Sequence, residues 1–281
     1  LAEVFLLEGR TVGMYSDPAT LDDVRFLVRS PNRLVVFDAI RTGPRERNEL
    51  RGVTDSSRVT LARILGDLEE RGWIARGEDG YRSTPAGTVV AEEVARLFSN
   101  VEAAAALDGT LGWLPTDRFD FELSRLGDAT VITPTDRDLT RPITWTARRV
   151  RESRDVRNVA TGISAEVVDA YLDAAEEPDR SLVTVMHGRV FGLVEDDADL
   201  RGKVREMLDA DAIDVYRYDG EQPPVMSTVC DDLVVLCGRP DPRSTPEGVE
   251  TDDDAVREWA VSYFESMRAE ADLVESDPFD D

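Results

Sequence analysis

Ser57, Arg58, Thr60 and Arg63 fall in the first turns of a segment, SSRVTLARILGDLEERG, whose apolar residues recur at helical spacing. Leu61, Ile64, Leu65 and Leu68 define one face to be buried, and the four polar residues lie on other faces towards the start. Arginine presents a rigid fork of donors that matches guanine O6 and N7 or a phosphate, and the hydroxyls of serine and threonine bond phosphates or base edges. A helix of this width fits the major groove of DNA and reads it with its N-terminal side chains. Arg58 and Arg63 are therefore candidates for the groove, with Ser57 and Thr60 beside them. Arg45 and Arg47, in the short helix expected at 45–51, suit the phosphate backbone. Arg76, Tyr81 and Arg82 are candidate contacts from a following hairpin, from which arginine reaches phosphate or the minor groove.

Other residues capable of chemistry are sparse. His187 is the one histidine, and it sits in an expected hairpin turn between strands 182–186 and 190–194. A turn residue on the surface or a ligand contact are its two readings. Cys230 and Cys237 flank an expected hairpin at Asp231-Asp232, where they are apolar strand filler or a redox pair. One histidine and two cysteines do not make a common zinc set without acidic help, and no glycine-rich phosphate loop or nucleophile elbow occurs. No enzyme, metal site or cofactor is expected. The stretch 141–157 carries Arg141, Arg148, Arg149, Arg151, Arg154 and Arg157 within an acidic half. Those arginines pair with neighbouring carboxylates or hold an anionic effector, which makes Arg148 and Arg149, with His187, the candidate effector contacts.

The elements that must position these residues can be read from punctuation and period. Residues 22–40 have a helical apolar stripe broken at Pro31. The helix carrying Arg58 and Arg63 starts from Asp55 or Ser56 as cap and closes at Gly72. Trp73 to Arg76 and Tyr81 to Ser83 then flank Gly77-Glu78-Asp79-Gly80, a two-stranded wing. Pro85 opens a helix running to about Leu107, longer than a small core needs, and its surplus suits a subunit contact. Strands then alternate with helices: strands at 129–132, 156–160, 182–186, 213–218, 225–230 and 233–237, helices near 141–157, 165–175, 200–208 and 252–273. The domains expected are a winged helix-turn-helix over 14–107, a connector over 108–128 and a mixed α/β effector or dimerisation domain over 129–275. The fold class is thus α/β with a helix-rich winged helix-turn-helix N-terminal domain.

Charge follows the same division. The chain has 58 acidic and 33 basic residues, a net charge of -25, and a single lysine, Lys203. Within 24–82, however, 12 arginines face 9 acids, so the positive segment of an acidic protein coincides with the helix-turn-helix. Acidic surface nearly free of lysine suits a cell interior of very high salt, where the Debye length falls to roughly 3 Å and self-repulsion is weak. A cytoplasmic protein of a salt-loving archaeon is the expected source. No run approaches the length of a membrane span. The opening LAEVFLLEGR lacks a basic leader and makes a poor signal peptide. Residues 1–13 are either an over-extended start, with Met14 the natural one, or an N-terminal arm.

The run from Thr60 to Ile74, with the wing and Thr84-Pro85-Ala86-Gly87 after it, resembles the winged helix of archaeal transcriptional regulators, above all the filament-regulator family first named in methanogens. The sugar-responsive winged-helix regulators of archaea are a more distant likeness. Residues from about 120 to 275 are similar to the C-terminal domain of the first family, through Val131-Ile132-Thr133-Pro134 and Glu258-Trp259-Ala260. The resemblance implies a DNA-binding regulator of transcription that binds double-stranded DNA as a homodimer, with the attached domain sensing a small-molecule effector or another signal. The competing expectation is a winged helix used for protein contact or effector binding that does not read DNA.

Overall fold

The computed structural model describes residues 17–241, 244–275 and 278–279. The expectation for residues 1–13 lies outside them. The chain divides into two compact units, one ending at Phe98 and the other starting at Ser99.

The first unit is helical. Helices α1 (Pro18–Val28) and α2 (Pro31–Arg41) are separated at Ser30, with proline in the first turn of each, where its missing N–H costs nothing. After α3 (Arg47–Gly52) comes α4 (Arg58–Glu70), capped by Ser57, whose Oγ accepts from the Thr60 amide at 3.1 Å. The cap therefore lies later than Asp55 or Ser56, and the helix is shorter than the sequence reading has it. Gly72, at φ 69°, ends the turn after α4. Leu61, Ile64, Leu65 and Leu68 of α4 pack with Leu27, Phe37, Ile40, Leu50 and Trp73 in one core. Phe26 lies between the Arg33 and Arg71 guanidinia, 3.5 and 3.6 Å from its ring centre, and Arg71 also bonds Asp23 at 2.9 Å. Two arginines of the positive segment are thus spent on holding α1 to its neighbours.

The wing is β1 (Ile74–Gly77) paired antiparallel with β2 (Gly80–Ser83). It has a third member that the sequence pattern conceals. Arg45 and Tyr81 exchange both backbone hydrogen bonds, each 2.9 Å, which anchors the hairpin to the segment before α3. The helix α5 (Pro85–Ala106) follows.

The second unit is an eight-stranded mixed sheet in the order β10-β6-β5-β4-β7-β8-β9-β3. Its strands are β3 (Thr130–Ile132), β4 (Asp155–Ala160), β5 (Ser181–His187), β6 (Ile213–Tyr218), β7 (Met226–Cys230), β8 (Leu233–Gly238), β9 (Glu247–Thr251) and β10 (Asp272–Leu273). Strands β4, β5 and β6 are parallel, and the other pairings are antiparallel. Helices α6 (Arg141–Glu152), α7 (Ala165–Ala175), α8 (Gly188–Glu195) and α9 (Ala198–Asp209) share a core with Val156, Leu182, Ile213 and Cys230. Helix α10 (Asp254–Ala269) covers the other face through Val256, Trp259 and Phe264. Residues 108–128 hold two short 3-10 turns, and Leu126 is fully buried there beside Trp259.

Three expectations are corrected. Residues 190–194 are the helix α8, not a strand, so His187 is a helix cap and not a hairpin turn residue. Val190, Phe191 and Val194 are the buried members of that segment, and their i, i+4 spacing serves a helix. The strand β9 was unread because EGVET is acidic and glycine-bearing; neighbours on both sides make it a strand. The last helix ends at Ala269, and Asp272–Leu273 add an edge strand.

Candidate nucleic-acid interface

On α4 the residues opposite the leucine face are Val59, Ala62 and Arg63, all exposed. At about 100° per residue, Val59 points roughly opposite Leu68, and Arg63 lies a turn further along the same crest. Arg58 lies towards the side, where with Arg47, Asn48, Arg51, Gly52 and Leu61 it lines a shallow groove between α3 and α4. Thr60 is half-buried, and its hydroxyl bonds that of Ser57 at 3.0 Å, so this pair is first a helix cap.

The wing separates the remaining candidates. Arg76 and Arg82 are exposed, and the register puts them on opposite faces of the hairpin, since Arg76 faces Tyr81 and Arg82 faces Ala75. Tyr81 is half-buried against the helical core, which accounts for its ring without any DNA. Arg45 is likewise committed: its Nε donates to the Ala39 carbonyl at 3.3 Å and its terminal nitrogen to the Thr42 hydroxyl at 3.2 Å. It staples the end of α2 and does not reach out as the sequence reading has it.

On α3, α4 and the wing six arginines remain: 47, 51, 58, 63, 76 and 82. All are exposed, and none makes an ion pair among the described residues, whereas Arg25, Arg33, Arg41 and Arg71 in the same unit each face an aspartate. In a chain with a large excess of acids, these arginines of α3, α4 and the wing stand without a carboxylate partner among the described residues. Arg51 was missed from sequence. Its spacing from Arg47 on one turn of α3 was the available signal.

The effector candidates do not converge. Arg149 on α6 is bound by Glu250 of β9 through two bonds of 2.7 Å, and Trp145 Nε1 donates to the same carboxylate at 2.8 Å. Burial alone would raise the Glu250 carboxyl, but the bonds from Arg149 and Trp145 outweigh it and hold it below the usual range. The hydrogen bonds to Glu250 raise Arg149 in turn. Arg151 is paired with Asp173 and Glu166. Arg148 is exposed, its guanidinium 4.5 Å from the Trp145 ring centre. His187 caps α8, and its Nε2 lies 3.3 Å from the Gly220 carbonyl. Its strand β5 and Glu250's β9 have β4, β7 and β8 between them, roughly 19 Å at ~4.8 Å per strand.

The cysteines are also kept apart. Cys230 faces Leu233 and Cys237 faces Met226 at the other end of the same hairpin, so the turn does not bring the two thiols together. Burial pushes Cys230 up to about 12 and Cys237 up to about 11, which keeps both protonated and unreactive. Among the described residues there is no group of metal-ligating side chains, and no helix is long and apolar enough to cross a membrane.

Residues 21–106 match the HVO_A0261 N-terminal domain, and residues 139–270 match the middle domain of the methanogenesis regulatory protein FilR1. No curated protein sequence matches. Among solved structures, TrmBL2, an archaeal chromatin protein described with a novel mode of DNA binding, is similar over 90% of this chain and 99% of that one, at 15% identity and a TM-score of 0.41. Nuc of Salmonella typhimurium, a phospholipase D family member, covers 53% of this chain with 100% of its own, at 8% identity and 0.43. NucT of Helicobacter pylori covers 52% with 99% of its own, at 10% identity and 0.43. Scores of this size carry no argument about activity. The two domain matches, in this order along the chain, support an archaeal regulatory-protein family of the FilR1 and HVO_A0261 type.

Proposed function

We propose that this regulator binds double-stranded DNA, placing α4 in the major groove with the α3–α4 groove and the wing on phosphates. The observation that carries the reading is the set of unpaired arginines around the exposed crest of α4. Arg63 is the base-reading arginine, at the crest. Arg47, Arg51 and Arg58 take phosphate beside it, and Arg76 and Arg82 take it from the wing. Ser57 and Thr60 fix the start of the helix and keep their hydroxyls within reach of a phosphate.

The protein acts as a homodimer in this reading. Leu97 and Val101 follow one another along α5 and are 51% and 58% exposed, with Val94, partly packed on the first unit's core, a turn earlier at the alternating spacing of a coiled-coil seam. A second copy of the same helix is the partner that such a seam fits, and two winged helices then address half-sites about 34 Å apart. The α/β domain serves as a signal-sensing or oligomerisation domain. With Arg149 saturated by Glu250, an anionic effector on α6 would meet Arg148 and not the pair. The protein works in the cytoplasm, at high internal salt.

Genome-wide occupancy of the tagged protein tests the reading. Discrete sites upstream of genes, lost in an Arg63→Ala strain with equal protein level, support it. An absence of enrichment over input DNA would leave the winged helix as a protein-contact module.

A further inference from the structure

Val59 is 80% exposed, the highest value among the large exposed apolar residues. It belongs to none of the hydrophobic cores, so the fold makes no use of it. Alanine at this position would form the helix at least as well. Its surroundings on the crest are small: Ala62 is exposed a turn further on, and a Cβ placed on Gly66 would meet nothing within 4 Å. The crest can therefore approach a surface closely, with Arg63 beside it.

The surface this apolar tip fits is set by what flanks it. Arg58 and Arg63 stand on α4, and Arg47 and Arg51 on α3, so an apolar protein partner would have to bury several unpaired cations. The major groove offers the opposite arrangement, phosphates at its rims and, on its floor, one apolar group, the C5-methyl of thymine. We infer that Val59 is a specificity-determining residue that packs against a thymine methyl, the apolar half of a readout whose polar half is Arg63. The inference rests on the DNA-binding reading above and adds to it a base class and a residue. It requires that each half-site contain a thymine whose methyl, and not its hydrogen-bonding edge, is read.

The test uses the full chain and duplexes enriched from a random library in concentrated KCl. Each thymine of an enriched duplex is replaced in turn by deoxyuridine, which removes the methyl and leaves every hydrogen-bonding group. Wild type should lose about fourfold in affinity at one thymine per half-site, the worth of one buried methyl. Val59→Ala, which removes no core contact and favours the helix, should bind the parent duplex more weakly and be indifferent to uracil at that position. Equal discrimination of thymine from uracil by Val59→Ala and wild type overturns the inference, as does wild-type indifference at every thymine; both leave the DNA reading intact. Failure of the library to enrich any sequence would instead sink the DNA reading and this inference with it.

Discussion

Arg45 and Tyr81 exchange both of their backbone hydrogen bonds, and this pair ties the wing to the helix-turn-helix. It depends on Gly80, which has φ 105° and whose hypothetical Cβ would lie 2.3 Å from the Arg45 carbonyl oxygen. Gly80→Ala therefore meets both backbone strain and a backbone clash, each worth about 1–3 kcal/mol. The variant should unfold at lower urea, and its DNA affinity should fall even where it is fully folded, because Arg76 and Arg82 lose their placement. Wild-type stability and affinity would show that the Arg45–Tyr81 bridge is dispensable.

The Arg149–Glu250 pair is the corresponding anchor of the second unit, with Glu250 only 7% exposed. Arg149→Met strands a buried carboxylate and should cost about 3–5 kcal/mol in denaturant unfolding. The Glu250 carboxyl is held below its unfolded value, so its stabilisation is present above about pH 4.3 and fades as pH falls through the lowered value. The stability gap between wild type and Glu250→Gln should accordingly narrow in acid. A gap unchanged down to pH 2 would show that the pair is not what stabilises this contact.

Arg47, Arg51 and Arg58 surround one groove and should act as phosphate contacts. Replacing any one by Ala should weaken binding similarly for enriched and scrambled duplexes, and should reduce the slope of log K against log [KCl] by about 1. Loss of affinity for the enriched duplex alone would move that arginine from phosphate to base.

Cys230 is buried and Cys237 half-buried, both thiols are pushed up and face different partners, and both should resist thiol reagents in the native protein and react faster on unfolding. Mild oxidant should leave DNA affinity unchanged. Formation of a Cys230–Cys237 disulfide with altered binding would overturn this register.

Much of the first unit was legible because its signals are local: the leucine period of α4, Pro31 at a helix start, Gly72 past a helix end and the Gly77–Gly80 turn each act through neighbours in sequence. What escaped was made by distant partners. Arg45 reads as a surface cation until Tyr81 pairs with its backbone, and Glu247–Thr251 reads as an acidic loop until β3 and β8 flank it. The segment after His187 looks like a strand by composition, and only the burial of Val190, Phe191 and Val194 on one side makes it helical. Of the interface, the arginine types were readable, but their division into spent and unspent was not. Val59 was invisible for the same reason, since exposure is a property of the folded helix.

The most direct measurement is the affinity of the full chain, in molar KCl, for an enriched duplex and for the same bases scrambled, with wild type and Arg63→Ala side by side. Wild type should prefer the enriched duplex by about 10³-fold or more, and Arg63→Ala should lose about 5- to 150-fold of that preference while staying folded. Equal affinity of wild type for the two duplexes, or an Arg63→Ala variant that discriminates as wild type does, would contradict the placement of α4 in the groove.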